Sequence, residues 1–457
     1  MYVPLLVGSI IFNYFIGQSF LKVDNKTTSI LFLAISINLF LLAFFKYSAM
    51  IVENINFIFN KNFSFSYPDL PLGISFFTFL QIAYIVDCYK GKVNNTAFSS
   101  YFLFVSFFPH LIAGPLVHHR DLIPQFSTKL KNIAENLSVG IIIFSIGLFK
   151  KLVLSEYVSV SSDNLFNGVE SGIMPSFVDA WLGVLSFTLL IYFDFSAYSD
   201  MAIGLSKMVG IKLPENFNSP YKSYNIIEFW RRWHITLSQF LKNYLYIPLG
   251  GNRKGAIRKY QNILIVMILA GLWHGADWTF VLWGGMHGFM LLINHYWQEK
   301  DFFNINKFCS FWITFISVML AWVPFRASSI DATVNIYKGL FGVYGFILPE
   351  HYFYLFPHFI SEFLTEIGVK FSSLNGFGGK TQIFVLLILL VFVMKLPNTQ
   401  QIFRDYSPTL SLDREKVSVH LSWKPNFWGT IFIGLVSSYL LILVIQGKSG
   451  EFIYFQF

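Results

Sequence analysis

The sequence predicts an all-α protein that crosses a membrane many times. Apolar residues make up 54% of the 457 positions and charged residues only 13%, with a mean hydropathy of +0.55. That is more apolar surface than a water-soluble fold can bury. Apolar stretches long enough to cross roughly 30 Å of hydrocarbon also recur along the chain. Each must satisfy its backbone polar groups internally, which here means helices. Short segments of alternating polar and apolar residues, the mark of an outer-membrane barrel, do not occur.

The expected spans lie at 3–20, 28–52, 70–87, 99–117, 134–154, 177–205, 261–283, 308–325, 381–396 and 427–446. The first has no basic residue before it and no small-residue cleavage pattern, so it is read as a retained helix rather than a signal peptide. Without an internal repeat or a long linker, the chain is expected to be a single integral-membrane domain over 1–457. The net charge of +8 resides in short loops between apolar spans rather than on one soluble face, which argues for membrane topology and against nucleic acid. Basic residues crowd 207–260 and are absent from 155–176, which places the former in the cytoplasm and the latter outside. Lys150 and Lys151 fit this poorly; either they snorkel or they line a polar cavity. The two cysteines, Cys88 and Cys309, supply neither a disulfide framework nor a thiolate metal site.

Segments 214–258, 335–380 and 397–426 are too polar to cross lipid and too aromatic for ordinary loops, so interfacial or re-entrant helices are expected there. In the first, Ile226, Trp230, Trp233, Leu237 and Leu241 recur at helical spacing, which predicts one amphipathic helix over 225–246. Its cations, with Arg253 and Lys254 beyond it, suit lipid headgroups and the phosphates of a coenzyme alike.

Each strongly polar side chain in a span is a site hypothesis unless a structural partner explains it. His274 in GLWHGADW, His287 in WGGMHG and His234 in RRWHIT share Trp- and Gly-rich surroundings. One such histidine is ordinarily a hydrogen-bonded core residue; three weaken that reading. No spacing brings three ligands together, so no metal is expected. An imidazole near neutrality can instead accept a proton from an attacking hydroxyl. Asp194 and Asp200, with Tyr198, make a second polar cluster, readable as a hydrogen-bond network or as catalytic carboxylates.

Taken in order, PLGISFFTF (71–79), YIVDCYKG (84–91), FFPHLIAGP (107–115), GLFKKLVL (147–154), YFDFSAYSDMAIG (192–204), ENFNSPY (215–221), EFWRRWHITLSQFLKNYLYIPLGGNRKG (228–255), GLWHGADWTFVLWGGMHG (271–288), AWVPFRA (321–327) and FIYFQF (452–457) resemble the membrane-bound O-acyltransferase superfamily, in its branch of alginate and peptidoglycan O-acetyltransferases. The resemblance implies a ring of about ten to twelve transmembrane helices with re-entrant segments around a tunnel that reaches both membrane faces. It makes His274 the catalytic histidine and His234 a second polar position, with His287, Asp194 and Asp200 in possible support. Arg231, Arg232, Arg253 and Lys254 would meet the phosphates of acetyl-CoA, the donor substrate, and no permanently bound cofactor is implied.

The same resemblance implies O-acetylation of an exported polysaccharide from the bacterial inner membrane. The acetyl group would pass to a separate extracytoplasmic partner of the SGNH/GDSL type. Tyr454, in the tail 447–457, is either an interfacial anchor or an acyl carrier in that relay. Abundant Phe, with Lys exceeding Arg, suggests an AT-rich genome and leans towards peptidoglycan. Alginate-type polymers, D-alanyl transfer to teichoic acid, and a transporter or flippase are the alternatives; the last more often shows repeated halves and broken spans.

Overall fold

The computed structural model describes residues 2–22, 27–112, 114–300, 304–372, 380–410, 422–447 and 452. These are predominantly helical. Among the described residues one sheet forms, pairing two three-residue strands in parallel, Ile347–Pro349 and Lys370–Ser372.

Among the described residues, seven helical stretches are long and apolar enough to span a membrane: Val3–Lys22, Thr28–Lys46, Ile133–Glu170, Phe177–Met208, Gly255–His274, Lys307–Arg326 and Phe427–Ile445. Shorter apolar helices at Ser48–Phe59, Ile74–Tyr89 and Thr381–Lys395 accompany them. Phe177–Met208 is the hub. Of its apolar window, 83% is buried inside the protein, against 6% for Phe427–Ile445, which therefore faces outward almost all round. Buried apolar side chains form two clusters. One contains Phe195, Trp233, Trp283, Trp322 and Phe325; the other contains Phe76, Leu237 and Trp273.

Several expected spans differ from what forms. Tyr47 divides the 28–52 segment into two helices. The 99–117 segment is not one helix: Phe98–Ser106 stops at the extended Phe107, and a four-residue helix restarts with Pro109 in its first turn, where the missing N–H costs nothing. The 261–283 segment ends at His274; Gly275 is extended, and the Asp277 carboxylate caps the next helix, Trp278–Lys300, by accepting from Thr279 N–H at 2.8 Å. The expected outer loop at 155–176 shrinks to a turn, because the helix runs on through a π-segment, Lys150–Ser155, to Glu170. Both lysines of that segment find buried carboxylates, which makes continuation through apolar surroundings possible.

The amphipathic helix expected over 225–246 is two short helices, Ile226–Arg232 and Ile235–Leu241, followed by a π-segment, Lys242–Tyr246. Trp233 is extended and His234 is left-handed with φ +43°, so the axis turns at that point. The apolar positions remain buried, and the turn carries His234 inward with 0% exposure.

Candidate functional site

His274 is the last residue of Gly255–His274, where helical carbonyl groups lack intrahelical donors. A neighbouring helix supplies them: Lys46 Nζ donates to the carbonyls of Trp273 and His274, the latter at 2.9 Å, and the Tyr47 hydroxyl donates to Leu272 O at 2.7 Å. A cation at this end also complements the helix dipole. The Trp278–Lys300 helix approaches closely because Gly271 has no side chain; a Cβ there would stand 2.1 Å from Phe280 O. Trp283 thereby comes 5.1 Å from the His274 ring, with Phe325 at 5.3 Å, both edge-on.

His234 and His274 face one another with ring centroids 6.4 Å apart, at the border of the two apolar clusters. The orientation of His234 follows from a chain of hydrogen bonds. Leu116 N–H donates to Thr236 Oγ1 at 2.9 Å, and that hydroxyl donates to Asn216 Oδ1 at 2.9 Å. The Thr236 N–H also points to Asn216 Oδ1, at 3.4 Å. These donors identify the amide oxygen, so His234 Nδ1, 3.1 Å from it, carries the hydrogen. In the neutral ring Nε2 then keeps its lone pair, and no described residue hydrogen-bonds to it.

His287 is held in the opposite sense. Trp230 Nε1–H donates to His287 Nδ1 at 3.3 Å, which leaves the hydrogen of the neutral ring on Nε2, again without a hydrogen-bond partner among the described residues. Trp283 lies 4.9 Å from His287, so one indole touches both His287 and His274. The three histidines singled out in the sequence thus form one buried group, with an acceptor nitrogen on His234 and a donor nitrogen on His287.

Trp230 also lines a cavity of about 910 Å³. Arg231, Lys242, Arg253, Lys254 and Lys259 share that lining, together with apolar Leu241, Ile263, Val266 and Met267. Of the four cations assigned to a coenzyme from the sequence, three come together here. Arg232 does not: it pairs with Glu228 at 2.9 Å and donates to Asn218 O at 3.2 Å.

Asp194 and Asp200 occupy a different neighbourhood. Lys151 Nζ lies 2.8 Å from Asp194 and 3.4 Å from Glu156, and Lys150 Nζ lies 2.6 Å from Asp200. Asp200 further accepts from Thr399 Oγ1 at 2.7 Å and Gln400 Nε2 at 2.6 Å. These carboxylates clamp helices to one another. Tyr454 lies outside the described residues; two positions earlier, Phe452 packs edge-on to Tyr198 at 5.0 Å, with Lys151 Nζ 4.8 Å from its ring centre.

Lys46, Asn216, Lys242 and Lys259 were not assigned to the site from the sequence. Lys46 carries only the signal of a cation ending an apolar run, and Asn216 gives none that composition or spacing could single out.

The model of the membrane-bound O-acyltransferase family matches residues 19–300. The chain is 43% identical to a peptidoglycan O-acetyltransferase of Helicobacter pylori over 86% of its own length and 80% of that protein. It is 34% identical to a probable alginate O-acetylase of Pseudomonas putida over 100% of its length and 90% of the relative. Similarity to a teichoic acid D-alanyltransferase of Streptococcus thermophilus is weaker, 28% over 52% of the chain. A family match over more than half its length, joined to relatives aligned across nearly all of it, places this multi-pass protein in the membrane-bound O-acyltransferase family, and it is an acyltransferase.

Proposed function

We propose that the chain is a bacterial inner-membrane O-acetyltransferase that takes an acetyl group from cytoplasmic acetyl-CoA and delivers it across the bilayer for O-acetylation of peptidoglycan. The observation that carries the reading is the buried His234–His274–His287 group, linked through Trp230 to a cavity with a cationic lining. Arg231, Lys242, Arg253 and Lys254 suit the phosphates of the coenzyme, and the apolar side chains beside them suit its pantetheine arm. A thioester is already activated, so the protein needs to position a hydroxyl, remove its proton and stabilise the oxyanion. His274 accepts the proton as the hydroxyl oxygen attacks the thioester carbonyl. The C–S bond breaks, and the departing thiolate of CoA takes up the proton. His234 Nε2, which can only accept a hydrogen bond, can stabilise the protonated His274 it faces, whereas His287 Nε2–H can donate to the oxyanion.

The first hydroxyl acylated is that of Tyr454, and a separate extracytoplasmic SGNH/GDSL-type enzyme takes the acetyl group from it to the polymer. The choice of peptidoglycan rests on the Helicobacter relative, which aligns at higher identity than the alginate O-acetylase. Ester-linked acetate measured on purified cell wall from a deletion strain tests the polymer: its loss, restored by the wild-type gene, is expected. Unchanged cell-wall acetate overturns it, and acetate lost instead from an exopolysaccharide favours the alginate-type reading.

A further inference from the structure

Away from the histidine group, Asp87, His118 and His119 converge at the end of the Ile74–Tyr89 helix, each offering one ligand atom with all three within 4.8 Å of one another. Asp87 Oδ2 lies 2.9 Å from His118 Nε2 and 3.9 Å from His119 Nε2. The Tyr244 hydroxyl donates to the same carboxylate oxygen at 2.7 Å and meets His118 Nε2.

Hydrogen bonding accounts for His118 but not for His119. The His119 side chain is 4% exposed, and neither of its ring nitrogens has a hydrogen-bond partner among the described residues. A buried polar group in that condition needs a partner such as an ordered water or an ion. Its Nε2 faces Asp87 across a gap too long for a hydrogen bond and of the right size for a shared ion. Ligand atoms about 2.1 Å from a tetrahedral zinc stand about 3.4 Å apart, between the two distances found.

We infer that Asp87, His118 and His119 form a binding site for a divalent transition-metal ion, zinc foremost, with Tyr244 beside it. One carboxylate and two imidazoles are the donor set such ions favour. The ion ties the Ile74–Tyr89 helix to the turn after Val117 and, through Tyr244, to the π-segment Lys242–Tyr246, whose Lys242 and Tyr246 line the cationic cavity. The site is independent of which polymer or acyl donor the enzyme uses.

The test uses the full chain purified in detergent, freed of any affinity tag, stripped with EDTA, exposed to Zn²⁺ and desalted. Retention of about one zinc per chain by mass spectrometry, with a rise in melting temperature on adding Zn²⁺, is expected. His119→Phe keeps the ring packing against Tyr84 and Phe104 while removing the ligand. It is expected to stay folded, to bind Zn²⁺ at least about tenfold more weakly and to lose the melting response. Asp87→Asn, nearly isosteric, is expected to do the same. Wild-type protein that retains no zinc, or a folded His119→Phe variant that retains it as well as wild type, overturns the assignment.

Discussion

The ammonium group of Lys46 donates to the carbonyl oxygen of His274 at 2.9 Å, so a residue ending one membrane helix terminates another and sets where its last side chain points. Lys46→Met keeps the aliphatic stem and removes the donor. Acyl transfer from a thioester is expected to fall by about 10²-fold through misplacement of His274. Insertion and folding should persist, because Tyr47 still bonds to Leu272. Undiminished turnover would remove Lys46 from the site.

His274→Ala is expected to abolish transfer in protein that still inserts and folds. A positioned base contributes about 10²–10⁴-fold, and the acceptor nitrogen of His234 belongs to a separate ring whose centre lies 6.4 Å from that of His274. Asn216→Leu is a subtler probe. It deprives His234 Nδ1–H of its acceptor and should lower kcat while the His274 surroundings stay intact. Equal rates for wild type and Asn216→Leu would show that the ring orientation of His234 is immaterial.

The cavity makes a selective statement about cations. Arg253→Ala and Lys254→Ala should each raise KM for acetyl-CoA with little change in kcat, more visibly at low salt where charge contacts are least screened. Arg232→Ala should leave KM unchanged, since its guanidinium is engaged by Glu228. A KM defect of equal size in all three would mean a general effect of surface charge.

Gly271→Ala places a methyl 2.1 Å from Phe280 O, against backbone that cannot swing away. The strain should cost about 1–3 kcal/mol and lower the melting temperature in detergent. Lys150→Met should also destabilise, because among the described residues Asp200 then keeps Thr399 and Gln400 alone as hydrogen-bond partners in a buried place; breaking such a pair from one side costs about 3–5 kcal/mol. Adding Asp200→Leu to Lys150→Met should recover part of that loss, and a further additive loss would argue against the ion pair.

Tyr454→Phe preserves an aromatic ring in the tail and removes the phenolic oxygen that would carry the acyl group. A phenol is a poor nucleophile until a base takes its proton, and its ester is labile enough to hand the acetyl group on. Loss of polymer acetylation with normal membrane insertion is the expected result. Wild-type acetylation in this variant would leave Tyr454 as an anchor.

What the sequence determined by itself was the class of protein and the identity of its polar inventory. Membrane helices announce themselves because apolar composition and length are local properties, and His234, His274 and His287 stand out because polar residues in apolar surroundings are costly. The ordered motifs carried the family. Only the tertiary structure decided where helices stop and who meets whom. Gly275 with Asp277, and the left-handed His234, interrupt stretches that apolar composition in one case and helical spacing in the other read as continuous, because a break depends on a cap or a turn of the backbone. Partnerships such as Lys46 with His274, Lys150 with Asp200, and Asp87 with His118 and His119 join residues far apart in the chain. No periodicity records them, since they arise from helix packing. Packing likewise separated Arg231, in the cavity lining, from its neighbour Arg232, which turns to Glu228.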